Sequence, residues 1–327
     1  MTEPRTPDAD GVYAAAARLK GHAVRTPLIE NAVLNERIGG RALLKAECLQ
    51  RCGAFKYRGA RNLLDALGPG GRARGVVAWS SGNHGHGVAR AASEFDATAT
   101  IVMPEDAPAL KAQMVRHYGA TIVTYDRYRD DREAIAFDII KRTGAAVAPS
   151  FDHPDIIEGQ GTAGLEAAEQ AKAIGVAFDA FLVCAGGGGL AAGCALAFEA
   201  AAPATKVWTA EPEGYDDLKM SLETGERVAV DVSRPTICDA IATPTPGAIT
   251  FPVLKRLAGG GVAVSEADVA DAMAFAFDHL KLAVEPGGAV ALAALLSRRF
   301  DARGKTVGAT LSGGNVDAAV FARLVAR

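Results

Sequence analysis

The chain has 327 residues and a formal net charge of −3; 49% of its residues are hydrophobic and 22% are charged. These values favour one large or two modest globular domains, and they exclude wholesale disorder. The dispersed basic residues exclude a nucleic-acid partner and a membrane-binding basic helix. Five cysteines without a Cys-x-x-Cys pair, and a start (residues 1–5) without an apolar signal segment, lead us to expect a reduced, cytoplasmic protein.

Short apolar segments typical of buried strands alternate along the chain with alanine-rich segments of helical character. The predicted strands cover residues 76–79, 98–103, 121–125, 180–184, 206–210 and 306–310. The predicted helices cover residues 85–94, 107–118, 132–143 and 190–201. This alternation predicts an α/β fold with parallel sheets covered by helices, and ligands bound at the carboxyl ends of the strands. Pro104 is expected to end a strand, and Pro244, Pro246 and Pro252 predict an irregular loop.

The uncharged stretch of residues 180–198 is long enough to span a bilayer. Four consecutive glycines lie inside it, and they would weaken a lipid-exposed helix badly. The stretch is therefore interpreted as a strand, a loop and a helix, without a membrane partner.

The loop at residues 186–189, here called the glycine loop, consists of Gly186, Gly187, Gly188 and Gly189. Glycine allows backbone N–H groups to converge without a Cβ in the way, and the following helix N-terminus favours an anion, so the loop predicts a phosphate site. A tight packing turn is one alternative. The spacing Gly186-x-Gly188-x-x-Ala191, with Glu211 about twenty residues on, also fits a dinucleotide site of an NAD-dependent dehydrogenase.

Lys56 lies in the segment Gly-Ala-Phe-Lys-Tyr-Arg-Gly-Ala at residues 53–60, between small residues and next to an aromatic ring. A second loop, Ser-Ser-Gly-Asn-His-Gly at residues 80–85, follows a predicted strand, and Ser312 follows another strand-like segment in Ser-Gly-Gly-Asn. An amine that can receive an aldehyde, together with a phosphate site, points to pyridoxal phosphate (PLP), whereas a dehydrogenase has no particular use for Lys56 between two small-residue turns.

These motifs, together with Glu-Pro-Gly-Gly-Ala at residues 285–289, occur in the order that is typical of fold-type II PLP enzymes. Over roughly residues 15–325 the chain resembles the serine/threonine dehydratase and serine racemase family, in its short form without a C-terminal regulatory domain. The resemblance implies two open, mainly parallel twisted sheets, as in the tryptophan synthase β fold. It also implies a large PLP-binding domain (1–50 and 147–327) and a small domain (51–146) that contributes the substrate carboxylate loop.

The resemblance implies a role for each matching position. Lys56 would hold PLP as a Schiff base and then act as the base at Cα. The other expected cofactor contacts are Phe55 at the ring, Asn83 at the phenolic oxygen, Ser312 at the pyridine nitrogen, Glu285, and the phosphate-binding residues Gly186, Gly187, Gly188 and Gly189. The expected substrate-binding residues are Ser80, Ser81, Gly82, Asn83, His84 and Arg132.

A serine at the pyridine nitrogen leaves the ring largely neutral, which weakens the electron sink and favours prompt loss of a β-hydroxyl. Ser81 is a candidate catalytic residue because the matching serine of the racemases exchanges a proton on the face opposite Lys56. Its alternatives are a helix cap and a ligand of the substrate carboxylate.

Four carboxylates lie within the seven residues 211–217, and oxygen ligands suit hard divalent cations. The resemblance implies a Mg²⁺ site, or one for Ca²⁺ or Mn²⁺, formed by Glu211, the Tyr215 carbonyl and Asp217. A solvated acidic loop is the alternative.

Two positions depart from the family pattern: Ala54 replaces a frequent serine, and His86 replaces a frequent glutamine. The Ala-Phe-Lys form is similar to that of some 3-hydroxyaspartate dehydratases. Arg132 aligns roughly with an arginine that meets a second substrate carboxylate in racemase-type members, although an exposed helix arginine is an equal alternative.

The expected function is PLP-dependent dehydration and deamination of a 3-hydroxy-L-amino acid, serine or threonine by default, to a 2-oxo acid and ammonia. Dehydration of 3-hydroxyaspartate and racemisation of serine are alternatives of the same chemistry. An NAD-dependent dehydrogenase and a non-catalytic PLP-binding protein are alternatives of other classes. The expected partners are a small amino-acid substrate and a second copy of the chain in a homodimer.

Overall fold

The computed structural model of the chain describes residues 5–80, 82–107, 109–126 and 128–326. Within these ranges ten strands form two separate sheets. In chain order the strands are β1 (Leu28–Glu30), β2 (Arg41–Lys45), β3 (Val76–Trp79), β4 (Ala99–Pro104), β5 (Thr121–Tyr125), β6 (Ala146–Val147), β7 (Ala180–Cys184), β8 (Lys206–Pro212), β9 (Gly260–Val264) and β10 (Thr306–Thr310).

Fourteen α-helices surround the sheets in the described part of the chain. The first seven are α1 (Ala9–Leu19), α2 (Ala32–Ile38), α3 (Lys56–Ala66), α4 (Gly68–Arg72), α5 (Asn83–Ser93), α6 (Ala109–His117) and α7 (Arg132–Thr143). The other seven are α8 (Pro154–Ala173), α9 (Gly189–Ala201), α10 (Asp217–Thr224), α11 (Thr250–Leu257), α12 (Glu266–Phe275), α13 (Pro286–Leu296) and α14 (Ala318–Val325). None of the described helices is both long and apolar enough to cross a membrane.

The larger sheet has the strand order β1-β2-β10-β7-β8-β9, and the smaller one has the order β5-β4-β3-β6. All neighbouring strands are parallel except β1 and β2. The α/β architecture with two mainly parallel sheets flanked by helices is thereby confirmed. Because parallel strands need helical crossovers, each sheet carries helices on its faces.

Two buried clusters fill the two faces of the larger sheet, one beneath α12 and α13 and the other beneath α8 and α9. Helices α8 and α9 approach closely because small residues face each other: a Cβ on Gly161 would lie 2.6 Å from the carbonyl oxygen of Gly193. A third cluster fills the smaller sheet between α3, α5 and its strands.

Most predicted elements agree with the observed ones, but one proline interpretation is wrong. Pro104 ends a strand as predicted, since it is the last residue of β4 and pairs with Tyr125. Pro252 lies in the first turn of α11, where its missing N–H has no intrahelical acceptor to lose. Pro244 and Pro246 do lie in irregular backbone.

Candidate active site

A cavity of about 630 Å³ opens where the carboxyl ends of strands from both sheets meet. Trp79 and Ser80 at the end of β3 line one side, and the glycine loop after β7 and Ser312 after β10 line the other. Lys56 also lines this cavity. The position agrees with the expectation that ligands bind at the carboxyl ends of parallel strands.

Lys56 is the first residue of α3 and is half-buried. Its Nζ donates to the carbonyl oxygen of Ser150 at 2.7 Å and lies 5.0 Å from the centroid of the Phe55 ring. Burial lowers the pKa of Lys56 to about 8, against the opposing effect of the Glu285 carboxylate. A minor but significant part of the amine is therefore unprotonated near neutral pH, as attack on an aldehyde requires.

The helix that carries Lys56 is anchored by a fully buried arginine that the sequence analysis did not single out. Arg58 donates to Glu47 and to Glu166 at 2.8 Å each, and Lys45 donates to the same Glu166 at 2.7 Å. Arg58, Lys45 and Glu47 are all 0% exposed. The buried Glu47 and the largely buried Glu166 hold the guanidinium in a fixed geometry, so the network fixes the start of α3.

The glycine loop combines close packing with unused backbone donors. Gly188 has φ of +93° and precedes α9. A Cβ on Gly187 would collide with the Phe151 ring, so glycine is needed here for packing alone. On the donor side, the N–H groups of residues 186–190 have no acceptor within the described ranges. Because buried N–H groups rarely remain without acceptors, this cluster at a helix N-terminus fits a phosphate group.

Ser312 is 4% exposed and lies directly against the segment that carries Lys56. Its carbonyl accepts the N–H of Phe55 at 3.1 Å, and the next residue, Gly313, forms a bridge with Ala54. The hydroxyl of Ser312 lies beside the thiol of Cys184 at the end of β7. Two motifs more than 250 positions apart are thus joined by main-chain hydrogen bonds, which place the lysine and the serine in one cavity.

Asn83 and Glu285 also meet at this cavity. The Nδ2 of Asn83 donates to Oε1 of Glu285 at 2.6 Å, and the Oδ1 of Asn83 accepts from Nδ2 of Asn315 at 2.8 Å. Asn315 belongs to the Ser-Gly-Gly-Asn motif, but the sequence analysis gave it no role. These contacts hold the Asn83 amide at the start of α5.

The start of α5 offers further donors. Among the described residues, the N–H groups of residues 83–85 have no acceptor, and Ser80 accepts the N–H of Gly82 at 3.2 Å. His84 is held by the carbonyl of Ala148 at 2.7 Å, and burial, together with the charge of Lys56, lowers its pKa to about 3. The free amides suit a substrate carboxylate, whereas the neutral His84 donates its single N–H to the Ala148 carbonyl. Ser81, the second candidate catalytic residue, lies outside the described residues.

Arg132 begins α7 on the rim of the same cavity. Its side chain is exposed, and in the described part of the chain it has neither a hydrogen bond nor an ion pair. Arg227, which was not predicted from the sequence, also lines the cavity and donates from Nε to the carbonyl of Pro246 at 2.9 Å. The cavity is therefore lined by two arginines, together with acidic residues such as Glu133.

The acidic loop lies after β8. Glu211 is 0% exposed and accepts the N–H groups of Leu218 and Lys219 at 2.9 and 2.8 Å. Both oxygens of Asp217, also 0% exposed, are without a partner within the described residues. Burial raises the pKa of Asp217 to about 7; burial and the charge of Asp217 raise that of Glu211. The solvated-loop alternative does not fit these two carboxylates.

The dinucleotide alternative for the glycine loop is also wrong for a physical reason. A ribose-binding acid must be accessible, whereas both oxygens of Glu211 bind backbone N–H groups inside the fold. No group of three or more His, Cys, Asp and Glu side chains among the described residues is arranged as a metal site. The acidic loop offers two carboxylates and the Tyr215 carbonyl instead.

Comparisons with known proteins agree with this geometry. The chain is 42% identical over 314 residues to L-threo-3-hydroxyaspartate ammonia-lyase of Pseudomonas sp, which covers 96% of this chain and 97% of the relative. It is 37% identical to serine racemase of Schizosaccharomyces pombe, with 98% of each chain covered. The structure of maize serine racemase superposes with a TM-score of 0.92 at 36% identity, covering 98% of this chain and 97% of that one.

The sequence pattern that defines the pyridoxal-phosphate dependent enzymes matches residues 19–313, which is most of the chain. The matched range contains Lys56, the glycine loop and Ser312, which the fold brings to one cavity. The chain therefore belongs to the family of pyridoxal-phosphate dependent enzymes.

Proposed function

We propose that this chain is an ammonia-lyase that removes the hydroxyl and amino groups of a 3-hydroxy-L-amino acid, giving a 2-oxo acid and ammonia, with 3-hydroxyaspartate as its preferred substrate. The observation that carries the proposal is the single cavity that holds a lysine amine of lowered pKa, a cluster of unused amides, and an arginine without a partner in the described ranges. The preference for hydroxyaspartate departs from the sequence-based default of serine or threonine.

The cavity fits PLP at each end. The N–H groups of residues 186–190 would hold the phosphate, Lys56 the aldehyde carbon, Ser312 the pyridine nitrogen and Asn83 the phenolic oxygen. Phe55, which packs beside Lys56, would contact the ring. When bound, PLP supplies an aldehyde that joins the substrate amine and a conjugated ring that withdraws electrons from Cα.

The residues of the chain then have separate tasks. The Lys56 amine, unprotonated in part near neutral pH, removes the proton from Cα. Because the Ser312 hydroxyl is not a strong acid, it would contact the pyridine nitrogen without protonating it, and such a weaker electron sink would favour prompt loss of the β-hydroxyl. The amides of residues 83–85, with the Ser80 side chain, bind the substrate α-carboxylate, and His84 packs beside them through its bond to the Ala148 carbonyl.

Arg132 is the residue that would select hydroxyaspartate. Since its guanidinium has no partner among the described residues and lies on the rim of the cavity, it is available for bidentate pairing with the second carboxylate of this substrate. The relative that is 42% identical carries the name L-threo-3-hydroxyaspartate ammonia-lyase, which supports the same choice.

The test is an ammonia-release panel with the PLP-loaded protein over L-serine, L-threonine and the four stereoisomers of 3-hydroxyaspartate. The expected result is the highest kcat/KM with an L-hydroxyaspartate isomer. Equal or higher values of kcat/KM with serine or threonine would support the proposed reaction but contradict the preference for hydroxyaspartate. PLP binding without ammonia from any substrate would favour a non-catalytic PLP-binding protein.

Serine racemisation is a second candidate activity, favoured by the 37% identity to a serine racemase over nearly the full length of both chains. It requires a proton donor on the face of the substrate opposite Lys56, for which Ser81 is the candidate. Incubation of L-serine with the enzyme, followed by chiral analysis, would detect D-serine; its absence at complete turnover of L-serine would exclude this activity.

We also propose that Glu211, the Tyr215 carbonyl and Asp217 bind a divalent cation, Mg²⁺ first and Ca²⁺ or Mn²⁺ as alternatives. Two buried carboxylates, one of them without any hydrogen-bond donor in the described chain, suit a hard cation with oxygen ligands. Treatment with EDTA should lower the thermal midpoint, and Mg²⁺ should restore it. No change in either step would contradict the proposal.

The division into a large domain (1–50 and 147–327) and a small domain (51–146) is proposed as well, with a homodimer as the assembly in the cytoplasm. Strands β3, β4 and β5 of the smaller sheet fall within the proposed small domain, and β6 lies at its boundary. Light scattering coupled to size-exclusion chromatography would test the dimer, since a mass equal to one chain would contradict it.

A further inference from the structure

The side-chain amide of Asn83 is held at both of its polar atoms by residues far away in the chain. Its Nδ2 lies 2.6 Å from Glu285 Oε1, and its Oδ1 lies 2.8 Å from Asn315 Nδ2. Asn315 Nδ2 is in turn 2.6 Å from the carbonyl oxygen of Cys52. These four groups form a continuous row, here called the amide row: the Cys52 carbonyl, Asn315, Asn83 and Glu285.

The groups at the two ends of the amide row accept hydrogen bonds, and this determines which side of each asparagine amide carries the NH₂ group. A main-chain carbonyl such as that of Cys52 only accepts hydrogen bonds, so the NH₂ group of Asn315 must face it. The second hydrogen of that NH₂ group then points at Asn83, which must present its oxygen. The NH₂ group of Asn83 therefore faces the Glu285 carboxylate.

The backbone around the amide row is built to keep it in place. Cys52 and Gly53 have φ of +62° and +68°, which turns the Cys52 carbonyl out of the regular chain direction. The N–H of Gly314 donates to the Gly53 carbonyl at 2.9 Å, and the N–H of Glu285 donates to the Gly313 carbonyl at 3.0 Å. A Cβ on Gly53 would strike Asn315, and one on Gly313 would strike the Glu285 carboxylate, so both glycines leave room for the row.

One hydrogen of the Asn83 amide is left over. An amide NH₂ group has two hydrogens, and Glu285 takes only one of them. No acceptor for the second hydrogen lies among the described residues, and Asn83 lines the cavity. If the Asn83 amide were reversed, its oxygen would lie against the Glu285 carboxylate, and the cavity would lose this donor.

We propose that Asn315 and Glu285 are positioning residues that hold the Asn83 amide in this one orientation, so that its remaining N–H donates to the phenolic oxygen of PLP. This inference rests on the proposed function, since it concerns the same cofactor at the same cavity. Neither residue touches the reacting atoms in this role; both act through Asn83.

The isosteric change Asn315→Asp separates this role from simple packing. The introduced carboxylate would keep the volume of the side chain but could not donate to the Asn83 oxygen. With a carboxylate on each side, the Asn83 oxygen would face an acceptor in either orientation, so the amide would no longer be held in the one that offers its N–H to the cofactor. Glu285→Leu removes the acceptor, whereas Glu285→Gln keeps an oxygen that can accept from Asn83 and should behave as the rescue variant.

The experiment measures the dissociation constant of PLP from each apoprotein and the pH titration of the visible absorbance of bound PLP. A donor to the phenolic oxygen stabilises its anionic form, so its loss should weaken PLP binding about tenfold and raise the spectral pKa by about one unit. Both changes are expected in Asn315→Asp, whereas Glu285→Leu should show the weaker binding alone, because the lost carboxylate charge opposes the rise in the spectral pKa. Glu285→Gln should bind PLP within about twofold of the unmodified protein, with its spectral pKa lowered rather than raised because a negative charge is lost.

Asn35→Ala is the matched control because Asn35 donates to Glu30 at 2.9 Å in a second Asn–Glu pair away from the cavity. Unchanged PLP affinity and an unchanged spectrum in folded Asn315→Asp would overturn the proposal. If circular dichroism shows that Asn315→Asp is unfolded, Asn315→Ala replaces it with the same expected direction and the same contrary result. Failure of the unmodified protein to bind PLP would instead refute the proposed function.

Discussion

One wall of the cavity and its rim differ in how firmly their polar side chains are held. On the wall that carries Lys56 and Asn83, each functional side chain has an internal partner: the Ser150 carbonyl for Lys56, and Glu285 with Asn315 for Asn83. On the rim, Arg132 is exposed and has no partner in the described ranges. The first wall, here called the fixed wall, is organised before any ligand binds, whereas the rim arginine gains its partner from the substrate.

This difference separates the residues that carry out the reaction from the residue that selects the substrate. Groups that need a defined geometry for proton transfer gain from being held in advance. A residue that only recognises a substrate charge has no such need, and an internal ion pair would compete with the substrate. We therefore expect changes in the fixed wall to affect all substrates, and changes at the rim to affect dicarboxylic ones.

Lys56→Ala has the largest expected effect and acts on the fixed wall. Removal of the base at Cα should lower kcat by about 10⁴-fold for every substrate in an ammonia-release assay. Lys305→Ala should leave kcat unchanged, because this exposed lysine contacts the Asp301 carbonyl and the Phe300 ring, away from the cavity. Retention of activity in Lys56→Ala would exclude Lys56 as the base.

Arg58→Ala tests what holds the fixed wall in place. Loss of the guanidinium leaves the buried Glu47 and the largely buried Glu166 without their shared partner, so the free energy of unfolding should fall by about 3–5 kcal/mol. Urea unfolding followed by circular dichroism measures this value. Arg58→Lys should recover only part of it, because an ammonium group cannot pair with both carboxylates in the same bidentate way. A loss below about 1 kcal/mol in Arg58→Ala would contradict the anchoring role.

The acidic loop should respond to pH and to metal without any change in the cavity. The pKa of Asp217 in the folded protein is raised from 3.8 to about 7, so its contribution to stability is present below pH 4 and is lost as pH rises toward 7. In EDTA the free energy of unfolding should therefore decrease over this range, by up to about 4 kcal/mol. Mg²⁺ should restore stability at pH 8 more than at pH 5, and Asp217→Asn should reduce the pH dependence in thermal melts, with the part due to Glu211 remaining. Equal stabilisation at both pH values would contradict a cation bound to these carboxylates.

Arg132→Ala has the smallest expected effect on free energy, but it should discriminate most sharply between hydroxyaspartate and serine. Loss of a charge-assisted hydrogen bond should reduce kcat/KM for hydroxyaspartate by about 10–100-fold, with little change for serine. Arg142→Ala is the control, because Arg142 lies at the other end of α7 and pairs with Asp138 of the same helix. Equal losses of kcat/KM for serine and hydroxyaspartate would contradict binding of the second carboxylate by Arg132. They would also contradict the contrast between the fixed wall and the rim.

The chemistry of the fixed wall could be predicted because contiguous residues carry it. The lysine segment, the glycine loop and the Ser-Gly-Gly-Asn motif each place a functional group next to the small residues that it needs, so their types were readable from the sequence. Strands such as β3 and β7 were found for a similar reason, since short buried strands are continuous apolar segments.

The partners of those groups could not be read in the same way. Asn83 is 202 positions from Glu285 and 232 from Asn315, and no local pattern reports contacts over such separations. Helix α13 was also missed: every residue from Pro286 to Leu296 is buried, so it lacks the polar face that gives a helix its periodicity. The metal and substrate assignments depended on resemblance, because four nearby carboxylates or one arginine have no unique meaning in a sequence.

The most direct test of the account is to reduce the purified, PLP-loaded protein with borohydride and map the modified peptide by mass spectrometry. We predict a yellow protein that loses its visible absorbance on reduction and carries one pyridoxyl group on Lys56. A colourless protein after incubation with PLP, or a pyridoxyl group on another lysine while Lys56 stays unmodified, would contradict it.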